Sequence, residues 1–169
     1  MEKRDTLSAM NDRLFNSSFG LKLTPEQIVS VISDFIAVDP NREYKIIVGT
    51  DSLKKPGDKA DFVTAIVVHR VGNGGRYFWR HLGKGEIHTL RDRMWQEVLF
   101  SLEISKELVI LLKNAGLEKC AFEVHVDIGE NGATRTMIQE LVGAVRAHNF
   151  EAKTKPESFA ASKVADRHV

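Results

Sequence analysis

The hydrophobic pattern changes from strand-like to helical part-way along the chain, and this change restricts the possible folds most. Residues 44–80 contain three short segments rich in Ile, Val and aromatic residues, a composition typical of β-strands. A Gly-rich stretch at 71–75 predicts a tight hairpin between the second and third segments, and the link 53–60, which contains Pro56-Gly57, predicts a looser hairpin before them. We therefore expect an antiparallel meander of three strands: Tyr44–Thr50, Phe62–Val68 and Arg76–Arg80.

Apolar residues at helical spacing lie on both sides of this meander. Before it, Thr24, Pro25 and Gln27 are typical of a helix start, and apolar residues continue to Ile36. After it, helix and strand patterns alternate. They predict a long helix Thr89–Asn114, a strand Phe122–Val126, a helix Ala133–His148, a strand Phe150–Lys153 and a short helix Ser158–Arg167.

The predicted order is β-β-β-α-β-α-β-α with an extra N-terminal helix, which defines an α/β chain. A strand–helix–strand crossover after a meander produces a mixed five-stranded sheet with parallel pairing in its second half. Among common architectures, this order is typical of the RNase H-like fold. We expect residues 24–169 to form a single domain of this kind and residues 1–23 to form an N-terminal arm.

Charge and cysteine content limit the classes of function. The 169 residues carry a formal net charge of +1, which argues against a strongly cationic nucleic-acid coat but leaves room for a local basic patch. With Cys120 as its one cysteine, the chain cannot form an internal disulfide, and a reducing compartment suits it. No apolar stretch in the sequence has the length of a signal peptide core or a membrane span, so we expect a cytoplasmic protein without a membrane partner.

Two acidic residues follow strand-like segments. Asp51 comes after Ile46–Val48, and Asp127 comes after Phe122–Val126. If these strands are adjacent and parallel, their carboxyl ends place both side chains at one edge of the sheet, where open α/β sheets bind ligands. Two carboxylates so close repel each other, and a hard cation such as Mg²⁺ or Mn²⁺ would compensate for their charge. Taken singly, an Asp after a strand is also a common turn former or helix cap.

Glu97 is a third candidate for the same cluster. It lies two turns into the long helix, on a stripe that also contains Leu90, Met94, Ser101 and Ser105. The small serines would let the helix approach the sheet closely. The structural alternative is a solvated surface Glu. Asp92 and Glu103 compete with it on the same helix, although Asp92 suits the dipole of the first turn.

Asp166 is a fourth candidate, near the end of the sequence. Its neighbours Ala161, Ser162 and Ala165 are small and indicate close packing of the last predicted helix. The structural alternative is a frayed terminal Asp. We include Asp166 in the cluster because the other three acids alone would provide too few ligands for a cation.

Four local strings resemble the YkuK-like family of bacterial RNase H-like proteins, a group of predicted nucleases. The strings are Val48–Ser52, Arg93–Glu97, His125–Gly132 and Lys155–Ser162, and the resemblance extends from about Thr24 to residue 169. It implies a catalytic, metal-binding cluster of acids from the first strand, the first helix, the fourth strand and the last helix: Asp51, Glu97, Asp127 and Asp166. Asp166 departs from that pattern, since it lies well inside or beyond its helix.

The activity that the resemblance implies is two-metal hydrolysis of nucleic-acid phosphodiester bonds, with Mg²⁺ or Mn²⁺ as cofactor. The implied partner is nucleic acid, with RNA, DNA and hybrid left open. Tyr77, Phe78 and Trp79 could provide a stacking surface for bases, although aromatic residues in strands are mostly core or cross-strand pairs. Six basic residues flank the acids in sequence and could hold phosphates or form ordinary solvated surface: Lys54, Lys55, Arg91, Arg135, Lys153 and Lys163.

Other interpretations fit the same residues. A non-catalytic RNase H-like module that binds nucleic acid or protein is consistent with a net charge near zero. The string Asp127–Thr134 resembles the phosphate loop of actin-like ATPases, but those proteins close two domains around a nucleotide, and here a helix rather than a hairpin is predicted to follow. His125 could be a metal ligand or proton shuttle, or a structural histidine with its hydrogen bonds satisfied.

Overall fold

A mixed β-sheet forms the centre of the computed structural model, which describes residues 13–169 except for the side chains of Lys84, Ala161 and Ser162. The strands are β1 (Phe15–Ser17), β2 (Lys22–Leu23), β3 (Tyr44–Lys55), β4 (Lys59–Arg70), β5 (Gly75–Glu86), β6 (Ala121–His125) and β7 (Glu151–Lys153). They are ordered β2-β1-β5-β4-β3-β6-β7. The antiparallel meander of β3, β4 and β5 is confirmed, and so is the parallel pairing of β6 with β3 and of β7 with β6.

The described part of the sheet has seven strands, two more than the five predicted. The additional strands, β1 and β2, come from residues assigned to the predicted arm, and β1 pairs with β5. Phe15 and Leu23 of these strands are buried in the core beside Ile28. Strands of three and two residues are too short to produce a periodic pattern. Residues 1–12 of the predicted arm lie outside the described residues.

The meander strands are longer than predicted. Each has 12 residues, and the looser hairpin expected at 53–60 is a short turn between Lys55 and Lys59. Gly57 and Asp58 in this turn have positive φ angles of 77° and 52°. The polar end of the hairpin extends beyond the apolar core, so hydrophobicity did not reveal it. As a consequence, Asp51 lies inside β3 rather than after it.

Within residues 13–169, three α-helices flank the sheet: α1 (Pro25–Ala37), α2 (Leu90–Asn114) and α3 (Ile138–Ala147). The predicted start of α1 is confirmed, because Thr24 and Gln27 form a capping box; Thr89 and Asp92 do the same for α2. The helix predicted from Ala133 begins later, after a 3₁₀ turn at Arg135–Met137. The last predicted helix, 158–167, is instead a π-helix (Ala160–Ala165) followed by a 3₁₀ turn (Asp166–His168).

Side-chain alternation along β3 divides the sheet into two faces. Ile46 and Val48 pack with Ile104 of α2, and we call this side the α2 face. Ile47 packs with Ala160 of the π-helix, and we call this side the π-helix face. Asp51, in the second half of β3, has the same parity as Ile47 and therefore lies on the π-helix face, whereas Ser52 lies on the α2 face. Among the described residues, no helix has the length and apolar character needed to cross a membrane.

Candidate functional site: an acidic cluster at the end of β3 and β6

Asp51 and Asp127 occupy matching positions on adjacent parallel strands. The ladder between β3 and β6 ends with Gly49 opposite His125. Asp51 comes two positions after Gly49, and Asp127 comes two positions after His125. Strand alternation therefore directs both side chains to the π-helix face. The negative charge of Asp127 accordingly raises the pKa of Asp51. The structure therefore brings these two carboxylates together, as predicted.

The half-buried carboxyl of Asp51 has an unusual protonation equilibrium. Burial, the largest cause, raises its pKa to about 6, although a backbone hydrogen bond at Ser52 opposes the rise. The charges of Asp127 and Asp166 raise it further, as does a side-chain hydrogen bond with Asp166. The Asp51 carboxyl thus lies between two other acids, and the site favours a proton or a cation there.

Glu97 lies on the α2 face beside Ser52, and its charge interacts with those of Asp51 and Asp127. Its side chain is 2% exposed, and its Oε1 accepts a 2.5 Å hydrogen bond from the Ser52 hydroxyl. Its Oε2 is buried without a hydrogen-bond partner among the residues that the structure describes. Burial, followed by the charges of Asp51 and Asp127, raises the pKa of Glu97 to about 8, while the Ser52 hydrogen bond and Arg93 oppose the rise. A solvated surface role for Glu97 is therefore wrong.

The serine stripe of α2 explains how Glu97 comes so close to the sheet. Ser101 and Ser105 are buried, and the Ser101 hydroxyl donates a 2.8 Å hydrogen bond to Thr50 Oγ1. The predicted close approach of the helix is thus confirmed. Leu90, expected on the same stripe, is instead 36% exposed, because it is the first residue of the helix.

The competing acids of α2 have other positions. Asp92 Oδ2 accepts the backbone N–H of Thr89 at 3.0 Å within the capping box, so Asp92 stabilises the start of the helix. Glu103 is exposed. Glu97 alone among these three acids points to the cluster.

Asp166 contributes from the 3₁₀ turn that follows the π-helix. It is exposed, unlike Glu97, but its charge and a side-chain hydrogen bond both reach Asp51. The carboxyl groups of all four predicted acids are therefore electrostatically linked through Asp51, directly or through Glu97.

Lys155 is a member of the site that sequence reasoning missed. Its Nζ lies 3.2 Å from Asp127 Oδ1 and forms an ion pair with it. The pair does not have the geometry of a hydrogen bond, and this oxygen has no hydrogen-bond partner within residues 13–169. Lys155 N–H donates to Ile128 O at 2.8 Å. Gly129 permits this approach, because a Cβ there would lie 3.0 Å from Lys155 Cβ. The packing of the segment after β7 brings the two residues together, and no local sequence pattern indicates it.

His125 has a structural role rather than an exposed catalytic one. Its Nε2 lies 3.0 Å from Glu123 Oε2, and its Nδ1 accepts a 3.2 Å hydrogen bond from the backbone N–H of Ala160. Accepting at Nδ1 requires the proton to be on Nε2, which then donates to Glu123. The satisfied histidine of the two alternatives is therefore the one observed.

Three of the six flanking basic residues pair with acids outside the cluster. Lys55 pairs with Asp61 at 3.5 Å, Lys153 with Glu151 at 2.8 Å, and Arg91 with Glu140. The other three, Lys54, Arg135 and Lys163, are exposed. Of the three aromatic residues, Phe78 is a buried core residue, whereas Tyr77 and Trp79 lie on the π-helix face.

The donor set fits a hard divalent cation. The cluster consists of carboxylate oxygens, which Mg²⁺ and Mn²⁺ prefer, and two of them, Glu97 Oε2 and Asp127 Oδ1, are buried without a hydrogen bond within the described residues. Over the same residues, no three His, Cys, Asp or Glu side chains are already grouped closely enough to hold a metal. The Lys155 ammonium supplies positive charge to Asp127 in this arrangement.

Comparisons with known proteins agree with this architecture. The chain is 32% identical over 168 residues to the uncharacterized protein YkuK of Bacillus subtilis (strain 168), an alignment that covers 91% of this chain and 95% of that protein. No solved structure gives a significant match. The family model described as Ribonuclease H-like matches residues 27–169, which confirms the predicted fold. The chain therefore belongs to the ribonuclease H-like family.

Proposed function

We propose that this protein is a divalent-metal-dependent nuclease that hydrolyses nucleic-acid phosphodiester bonds at the acidic cluster. The observation that carries the proposal is the buried Glu97 carboxylate. One of its oxygens lacks a hydrogen-bond partner in the described chain, and its charge interacts with those of Asp51 and Asp127. Burying such a group is costly unless a cation or a proton compensates for it. Groups of this kind are concentrated at functional sites.

The residues of the cluster would have distinct roles. When bound, divalent cations would lower the pKa of a water nucleophile and stabilise the departing oxygen. Asp51 would bind centrally, because the other acids surround it, with Asp127 and Asp166 on the π-helix face and Glu97 from the α2 face. Ser52 would hold the Glu97 carboxylate in place through its hydrogen bond to Oε1.

Lys155 would be the phosphate contact closest to the acids. Its side chain is 53% exposed, so its ammonium can leave Asp127 for a phosphate oxygen at small cost. Release of Lys155 from Asp127 would at the same time open a carboxylate oxygen to the cation. In this arrangement, substrate binding and metal binding support each other.

The test is cleavage of a panel of RNA, DNA, RNA–DNA hybrid and branched substrates with Mn²⁺. We expect Asp51→Asn to reduce cleavage at least about 100-fold, equivalent to roughly 3 kcal/mol of transition-state stabilisation. Asp61→Asn is the matched control, since this partly exposed Asp lies on the neighbouring strand and pairs with Lys55 instead. Equal rates for wild type and Asp51→Asn on every substrate would reject the nuclease proposal.

A non-catalytic nucleic-acid-binding module is the second candidate. The exposure of Asp166 favours it, because the last acid of the cluster is also the least enclosed. This candidate predicts binding of one of the same substrates, without Asp51-dependent cleavage. Measuring binding in EDTA alongside cleavage in Mn²⁺ separates the two functions.

A further inference from the structure

Two aromatic rings and one imidazole lie together on the π-helix face, outside the acidic cluster. The rings of Trp79 and His168 are parallel within 10°, and their centroids are 3.8 Å apart. The Tyr77 ring lies beside both, at 5.6 Å from Trp79 and 6.0 Å from His168. Tyr77 and Trp79 belong to the regular strand β5, whereas His168 comes from a three-residue 3₁₀ turn. The two strand aromatics therefore form the platform, and His168 covers it.

The register of the sheet relates this platform to the acids. Asp51 is opposite Val63 on β4, and Val63 is opposite His81 on β5. Trp79 precedes His81 by two residues and therefore points to the same face. With strands about 4.8 Å apart and a rise of about 3.3 Å per residue, the Cα atoms of Trp79 and Asp51 are roughly 12 Å apart. A single-stranded chain with its phosphate at Asp51 can place a neighbouring base at this distance.

The character of the His168 contact indicates what the platform accepts. An imidazole is a planar heteroaromatic ring, like the bases of nucleic acids, and it lies flat against the indole. The Nε2 atom of His168 is buried without a hydrogen-bond partner among the described residues, so the contact satisfies the ring's π-face but not its polar edge. Stacking of a base on an aromatic side chain does not depend strongly on which base is present, because every base has a π-face.

We propose that Tyr77 and Trp79 form a nucleobase-stacking subsite, and that the His168 ring occupies it in the manner of a base and is displaced when nucleic acid binds. The proposal rests on the proposed function, because it assigns a base-binding role to the surface beside the acids. The subsite predicts a preference for single-stranded segments, since a base must leave its own stack to lie on the indole.

Fluorescence of Trp79 provides a direct test. The chain has two tryptophans, so Trp95→Phe leaves Trp79 as the single indole. In EDTA, which prevents metal-dependent cleavage, a ten-nucleotide oligo-dA should quench its emission in a saturable manner. His168→Ala should tighten binding about 5- to 10-fold, because the competing ring is removed. Adenosine monophosphate, titrated in parallel, distinguishes a free nucleotide from nucleic acid.

Substitution of the platform completes the experiment. In the two-tryptophan chain, Trp79→Leu should weaken binding of a fluorescein-labelled oligo-dA at least 10-fold, whereas Trp79→Phe should retain most of it. Trp95→Leu is the control, since Trp95 packs against the core on the opposite face. Circular dichroism of each variant verifies folding, and His168→Ala changes a residue of the covering turn rather than of the sheet.

The outcomes separate this subsite from the nuclease proposal. If oligo-dA quenches Trp79 fluorescence and binds more tightly to His168→Ala, the subsite is supported even when no cleavage is detected. If cleavage depends on Asp51 but the Trp79 and His168 variants bind and cleave as wild type does, the subsite is overturned. The nuclease proposal would then still be supported. Binding of adenosine monophosphate without binding of the oligomer would overturn the assignment to nucleic acid.

Discussion

The two faces of the sheet present their acids in contrasting ways. On the α2 face, Glu97 is carried by a 25-residue helix and is 2% exposed. On the π-helix face, Asp166 is exposed on a three-residue turn that follows a six-residue π-helix. One acid is carried by a long regular element, and the other by a short irregular segment. The cluster thus has one half on a long regular helix and one half on a short irregular segment, and we expect the second half to adjust more readily to a ligand.

The contacts that hold each half differ accordingly. Glu97 is positioned by Ser52, while Ser101 and Thr50 keep the helix close to the sheet. The irregular segment is tied to the sheet by the hydrogen bond from Ala160 to His125 and by the stack of His168 on Trp79. Substitutions that remove one tie at a time test whether the two halves behave differently.

The largest effect is expected for Glu97→Gln in EDTA. A buried carboxyl with a raised pKa keeps its proton in the folded protein up to about pH 8, whereas the unfolded chain releases it near pH 4.5. The folded state binds more protons within that window, so this group's contribution to stability falls as pH rises from 4.5 to 8. Gln does not ionise, so the stability of Glu97→Gln should not fall in this way as pH rises. The variant should equal wild type near pH 4.5 and be more stable by roughly 3–5 kcal/mol above pH 8.

Denaturant unfolding at pH 4.5 and pH 9 measures this difference. Glu103→Gln is the matched control, because it removes an exposed Glu from the same helix and should change stability little at either pH. Mn²⁺ at pH 9 should stabilise wild type and should have a smaller effect on Glu97→Gln, since a cation stabilises the folded state in which it binds. A stability difference that does not vary with pH would contradict an ionisable buried Glu97.

The two halves were also predictable from the sequence to different degrees. Glu97 could be placed because a long helix repeats its pattern, and the serine stripe indicated which face meets the sheet. Asp51 and Asp127 could be paired because parallel strands align their carboxyl ends. These inferences rest on regular periodicity, which a single sequence expresses clearly.

The rest could not be predicted because it depends on irregular backbone. Residues 158–167 have a helical pattern, and nothing in that pattern distinguishes a π-helix from an α-helix. The contacts of Lys155 with Asp127 and of His168 with Trp79 join residues far apart in sequence, and they follow from how the segment after β7 packs. The short strands β1 and β2 were missed because they have too few residues to show alternation.

A smaller effect is expected for His125→Ala, which removes the hydrogen bond between the irregular segment and β6. The variant leaves the Ala160 N–H and the Glu123 carboxylate without their ring partner, both in a buried setting. We expect a loss of about 2 kcal/mol in unfolding free energy and faster hydrogen exchange at the Ala160 amide. His69→Ala is the control, since that half-buried ring contacts the same Phe159 and should cost less than about 1 kcal/mol. Unchanged exchange at Ala160 would show that the segment is held by other contacts.

The smallest effect is expected for Lys155→Met, which leaves the apolar part of the side chain and removes its charge. The ammonium lies 3.2 Å from Asp127 Oδ1 and competes there with any cation. Its removal should therefore tighten Mn²⁺ binding about two- to fivefold, because a partly exposed ion pair of this kind is worth about 1 kcal/mol or less. Lys153→Met removes an equal charge that pairs with Glu151 and Glu157 instead, so calorimetric titration of Mn²⁺ should find its affinity close to that of wild type. If both variants bind Mn²⁺ equally well, the effect is one of overall charge, and the metal does not share Asp127 with Lys155.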